Sequence, residues 1–196
     1  GSGATFTDSG NTGHTVTEVG NAISARGGTF TDSGNTGHTV TEVGNARKET
    51  GTGYKWEIDG VGYALDGSSG SLEVADHDDW HIWATTTESW ALELWVRLMI
   101  APSHADFIGQ KNDGNNHWQF GHSATNGFKF FKLVGGNWAP NISGGPTGRI
   151  NDTDWHHVVA SKVAQDYGLY MDGVQVAYQS DDTTSTVYTD DLSIGK

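Results

Sequence analysis

Apolar and polar residues alternate most regularly over residues 155–178, WHHVVASKVAQDYGLYMDGVQVAY. The Asp172-Gly173 pair divides two runs of period two, the signature of a hairpin closed by a two-residue type I′ turn. Pairing outward from that turn sets Met171 opposite Val174, Leu169 opposite Val176 and Tyr167 opposite Tyr178. Successive side chains point to opposite sides of a strand, so these six share one apolar face. Gly168, Tyr170, Gln175 and Ala177 fall on the other face, as in a half-solvated antiparallel sheet. Residues 155–163 predict a preceding strand. Residues 90–98 predict another, with Trp90, Leu92, Leu94, Val96 and Leu98 on one face, Glu93 and Arg97 on the other, and Trp95 partly covering the second face.

Between these runs lies a meander. Residues 107–111, 117–122, 128–134 and 138–142 predict short strands, separated by Asn112-Asp113-Gly114, Thr125-Asn126-Gly127 and Gly135-Gly136. Pro140 and Pro146 mark edges or loops, because proline cannot donate to a ladder. Upstream, residues 54–58 and 62–65 predict strands around Asp59-Gly60, and 71–75 a third; 47–53 is a polar connector. Residues 76–87 form a loop whose Trp80 and Trp83 tuck back, and 186–194 is the last strand.

One pattern is an exact repeat. Residues 5–22, TFTDSGNTGHTVTEVGNA, recur unchanged at 29–46. A solenoid needs at least three copies, so this is not one. Each copy reads as a turn-rich loop followed by one β-branched strand.

The segments Asp154-Trp155-His156-His157-Val158-Val159-Ala160, Leu169-Tyr170-Met171-Asp172-Gly173 and Leu192-Ser193-Ile194-Gly195 resemble the laminin-G-like, concanavalin A-like jelly-roll family. Asp32-Ser33-Gly34-Asn35 with Gly37-His38, Ala64-Leu65-Asp66-Gly67, and the strand Leu92-Glu93-Leu94-Trp95-Val96-Arg97 match in the family's order. Residues 74–80, VADHDDW, are similar to versions in phage and bacterial surface proteins. The resemblance covers residues 29–196 and implies an all-β, two-sheet antiparallel sandwich, with residues 1–28 as a separate duplicated segment. Family members usually continue past the I-G with one more strand beside the N-terminal one. The first repeat is therefore expected to supply an added strand, in its own chain or donated to a neighbour; the alternatives are a tail and a shortened end.

Composition narrows the function classes. Many glycines and tryptophans and only 3 prolines favour short strands and tight turns. No cysteine means no disulfide and no thiol chemistry. A net charge of −13 opposes binding to nucleic acid or anionic membranes. No apolar run approaches the roughly 18 residues that span a bilayer, so membrane insertion is not expected.

Four chemistries compete for the polar residues. Glu57-Ile58-Asp59 resembles the front of the related glucanases' catalytic strand, but Val61 and Gly62 stand where the third acid belongs, so no enzyme is expected. His156 and His157 point to opposite faces, as do His117 and His122, which argues against a zinc site. Asp32 and Asn35 offer hard oxygens to calcium in a loop that turn chemistry also explains, and the resemblance implies calcium in some relatives. A sugar needs an aromatic platform flanked by amides and carboxylates. Trp118 and Trp138, with Asp113, Asn116, Lys129 and Asn137, are the candidates, against the reading that each tryptophan is buried. The expected function is a non-catalytic recognition or adhesion module for glycans at a viral or bacterial surface. The alternative is a structural virion or filament subunit that assembles by strand addition through its repeat.

Overall fold

The computed structural model describes residues 17–19, 38–43, 47–50, 61–65, 70–81, 86–98, 104–184 and 188–195. The early strands are β1 (Thr17–Val19), β2 (Val40–Val43), β3 (Arg47–Thr50), β4 (Val61–Ala64) and β5 (Ser71–Val74). The middle of the chain forms β6 (Trp90–Val96), β7 (His104–Lys111), β8 (His117–Ser123), β9 (Gly127–Val134) and β10 (Asn137–Ser143). The rest forms β11 (His156–Val163), β12 (Asp166–Met171), β13 (Val174–Ser180) and β14 (Leu192–Ile194). Short 3-10 helices occupy Asp78–Trp80 and Gly145–Gly148.

These strands belong to two compact units, one of residues 1–75 with 191–196 and one of residues 76–190. In the first, β1, β2, β5 and β14 run side by side in that order. The added strand pairs within its own chain, in parallel and in register with its duplicate: Thr17↔Thr41, Glu18↔Glu42, Val19↔Val43. The expected connector at 47–53 is in part a strand, since β3 pairs antiparallel with β4. A ladder is made of backbone groups, so four polar residues suffice to form it. The expected strand at 54–58 lies outside the described residues. Gly195 has a φ of +73°, and a Cβ there would collide with the Leu65 side chain, which explains the glycine of the closing I-G.

The second unit is a sandwich. One sheet is β7–β8–β9–β10, the meander read from the turns; the other is β13–β12–β11–β6. Trp90, Phe130 and Tyr167 close the space between them, with ring centroids 5.3 Å apart for Trp90–Phe130 and 6.0 Å for Phe130–Tyr167. Two lysines also point inward. Lys132 Nζ donates to the Thr183 carbonyl at 3.0 Å and Lys162 Nζ to the Glu88 carbonyl at 2.9 Å, so each ties a loop to a strand. Burial lowers the Lys132 pKa to about 8.

The opening hairpin forms with one correction. Asp172 and Gly173 have φ values of +51° and +82°, as a type I′ turn requires, and Met171 faces Val174. The register then shifts at Val176, so Leu169 faces Ala177 and Tyr167 faces Gln179. A bulge inserts one unpaired residue and reverses every side chain beyond it. Tyr167 and Leu169 stay buried, whereas Tyr178 lies opposite Gly168 and is 60% exposed; Val174, at the turn, is 64% exposed. The Asp172 side chain also fixes the W-H-H-V run: Oδ1 accepts the His157 N–H at 2.9 Å and Oδ2 lies 2.8 Å from His156 Nδ1.

The last strand is shorter than expected. Tyr188 is buried with its hydroxyl donating to the Leu133 carbonyl, and the N–H groups of Thr189 and Asp190 donate to Asn112 Oδ1. Those residues are committed to loop contacts, and the ladder begins at Leu192.

Candidate functional site

Register divides the β7–β10 sheet into two faces. Trp118, Phe120 and His122 on β8 stand opposite Lys132, Phe130 and Phe128 on β9, all buried on the inner side. Trp118 is 2% exposed and its Nε1 donates to Gln110 Oε1 at 3.3 Å. This corrects its assignment as a sugar platform. Its partner Gln110 is itself a hub, with Nε2 donating to Asp76 Oδ1 at 2.8 Å and to the Asp190 carbonyl at 2.6 Å.

Trp138 has the opposite fate because of a second bulge. Asn141 and Ile142 pair with Phe131 and Phe130, but the register shifts before Trp138, which pairs with Leu133. Without the shift Trp138 would fall in phase with buried Ile142. Pro140, which offers no N–H to the ladder, lies inside the shifted stretch, and β10 is the edge of its sheet. Trp138 is accordingly 56% exposed, with its ring edge-on to Phe131 at 4.9 Å between centroids.

Around that pair the outer face carries a polar row. Lys129, next but one to Phe131 on β9, holds its Nζ 5.2 Å from the Phe131 centroid and 3.0 Å from His104 Nδ1. Burial lowers its pKa, with Asp106 opposing the shift. His104 Nε2 lies 2.7 Å from Asp106 Oδ1, a close approach whose geometry falls short of a hydrogen bond. Gln119 Nε2 donates to Asp106 Oδ2 at 2.7 Å. Asn141 pairs with Phe131 in register and is exposed, and the His117 ring stands edge-on to Phe131 at 5.4 Å. Burial lowers the His117 pKa. The surface thus combines one exposed ring, Trp138, backed by buried Phe131, with donors and acceptors of both kinds.

Lys129 and Trp138 meet on one face, and it is the bulge in β10 that brings Trp138 there. Asp113 and Asn116 sit in the β7–β8 turn beside it, and Asn137 opens β10. Asp113 Oδ1 accepts the N–H groups of Asn115 and Asn116, which, Asn115 first, hold its carboxyl below the usual range. Asn116 Oδ1 accepts the Gly135 N–H at 2.9 Å, joining the β7–β8 turn to the β9–β10 turn. Asp113 and Asn116 are thus already engaged in shaping the turns, while Asn137 is exposed. His104, Asp106, Gln119, Phe131 and Asn141 were missed by sequence reasoning. Parity was the available signal for Gln119 and Phe131, which face each other; the bulges at β7 and β10 hid the rest. Asp32, Asn35 and the Glu57–Asp59 segment lie outside the described residues. His156 and His157 turn to separate partners, Asp152 with Asp172 and Glu93 respectively.

A family model described as the concanavalin A-like lectin/glucanases superfamily matches residues 66–196. No curated protein sequence matches significantly. Among solved structures, the chain is similar to domain 4 of AbnA, a GH43 extracellular arabinanase from Geobacillus stearothermophilus, in complex with arabinotriose. The TM-score is 0.58 at 16% identity, covering 81% of this chain and 72% of that one. It is also similar to a botulinum neurotoxin type C structure whose cell entry depends on two ganglioside molecules, with TM-score 0.56 and 14% identity, over 81% of this chain and 38% of that one. These likenesses show the fold. With the family match over most of its length, the chain belongs to the concanavalin A-like lectin/glucanases superfamily.

Proposed function

We propose that this protein is a non-catalytic, extracellular glycan-binding module of a viral or bacterial surface, and that the outer face of the β7–β10 sheet is its binding surface. The observation that carries this reading is Trp138, held out of the core by a bulge and backed by Phe131 beside Lys129. A sugar ring stacks its C–H face on such a platform while its hydroxyls exchange hydrogen bonds with amides, ammonium and carboxylate. Lys129, Asn141, Asn137 and Gln119 supply those groups without requiring a net charge on the ligand. The arabinotriose complex of one structural neighbour and the ganglioside dependence of the other support the class of ligand. Among the described residues no helix is long and apolar enough to cross a membrane.

A glycan array probed with the protein and its Trp138→Ala variant tests the reading. Loss of all array signals in the variant, with Tyr178→Ala unchanged as a control on the other sheet, is the expected result. Equal binding by Trp138→Ala would reject the surface. Running the array with and without calcium tests the further proposal that Asp32 and Asn35 hold that ion.

A further inference from the structure

We infer that β1 is an exchangeable strand, which docks in the same parallel register beside β2 of a second copy of this chain. It extends the structure beyond the glycan reading, since neither strand carries a residue of the proposed sugar face. Residues 5–22 and 29–46 are the same sequence, and the strand of one lies on the strand of the other with equivalent residues paired. The opposite edge of β2 is held antiparallel by β5, with Val40↔Val74 and Val43↔Ser71. One edge of β2 is therefore left for a first repeat, and β1 ends the strand order among the described residues.

Any second copy presents the same strand to that edge and can make the same ladder bonds. Exchange then gains and loses identical pairings, and the balance is set by concentration: a tethered strand competes at an effective concentration on the order of millimolar. One-way donation would leave the donor's β2 bare, an exposed edge of the kind proteins avoid. Reciprocal exchange leaves no new edge and closes as a two-fold dimer. A duplicate also differs from any other cover, because it regenerates the edge that it hides. The occupant fitted to this place is the first repeat of another copy.

The chain has no cysteine, so thiols can be placed without interference. Full-length Thr17→Cys and Thr41→Cys variants are mixed, concentrated together to roughly millimolar, and joined with a short thiol cross-linker. Mixed dimers linked 17 to 41 are expected, rising with concentration and suppressed by excess synthetic peptide of residues 5–22. Adding Glu18→Pro and Val19→Pro to the Thr17→Cys chain removes a ladder donor whichever of the two N–H groups faces β2, and should abolish them. The off-register pair Thr17→Cys with Thr39→Cys should give several-fold less. Equal yields from the two registers would overturn the inference. So would a Thr17→Cys/Thr41→Cys double variant that links only within single chains at every concentration.

Discussion

Trp118 and Trp138 lie on the same sheet, two strands apart, and their surroundings make opposite use of the same side chain. Trp118 is enclosed by the inner face with its indole N–H given to Gln110; Trp138 stands out from the outer face against a single phenylalanine. Chemistry does not separate them, since each follows a polar residue in the sequence, His117 and Asn137. Backbone phase does. A regular strand put Trp118 inward, and one extra residue in β10 turned Trp138 outward. Aromatic content therefore locates a surface only when the register is known.

The largest effect expected from breaking this contrast is on stability. Trp118→Ala should cost about 3–5 kcal/mol, as large-to-small changes of buried aromatics do, measured by the shift in denaturation midpoint. Trp138→Ala should cost about 1 kcal/mol or less, the value of one aromatic pair, while removing glycan binding. If both variants lost stability equally, the two faces would not differ as described.

A second contrast is between histidines. His122 is buried and its Nε2 accepts the Ile150 N–H at 3.1 Å, so the fold requires its neutral form. Burial, with Arg149 and His104 adding to it, lowers its pKa below the ordinary histidine value of 6.5. Its stabilisation is complete above the unfolded pKa and is lost as pH falls through that value toward the folded one. Burial also acts to lower the His156 pKa, but the hydrogen bonds and charges of Asp152 and Asp172 outweigh it and the net shift is upward. Its contribution is complete below the unfolded pKa and is lost as pH rises through the folded one. Melting temperatures across pH 5–8 (roughly the window of His titration) should show this. His156→Asn should make the acid-side loss steeper than in the wild type, and His122→Asn should flatten it. Parallel profiles would contradict the assignment.

The smallest effect expected is at Lys129. Lys129→Met keeps the stem that lies by Phe131 and removes the ammonium, so melting should move little while glycan affinity falls a few-fold, read by titration calorimetry. Unchanged affinity would restrict the surface to the rings.

What the sequence made legible were features set by local rules. The Asp172-Gly173 turn, the four meander strands and the inward row Trp90, Leu92, Leu94, Val96 depend on turn chemistry and alternation alone, and the strand positions followed. The face assignments failed where β7, β10 and β13 take an extra residue, at Phe107, before Asn141 and at Val176. No residue type announces a bulge, although Pro140 hinted at one. Alternation alone thus places Tyr178 in the core, whereas Trp118, on the regular strand β8, stays open between platform and core because alternation does not say which face is the inner one. Polar strands were the other blind spot: Arg47–Thr50 carries no alternation for a pattern to detect. Of the candidate site, Lys129 and Trp138 were within reach; Asp106 and His104, beyond a bulge, were not.

The shift in β10 also bears on how such a surface could arise or vanish. Closing the bulge with every residue retained would move Trp138 from Leu133 to Val134 and send the indole toward the interior, whereas deleting Ala139 together with the bulge would leave it opposite Leu133 and outside. Gain or loss of such an exposed ring can therefore follow from a one-residue slip in pairing, an event that comparison by substitution alone would overlook.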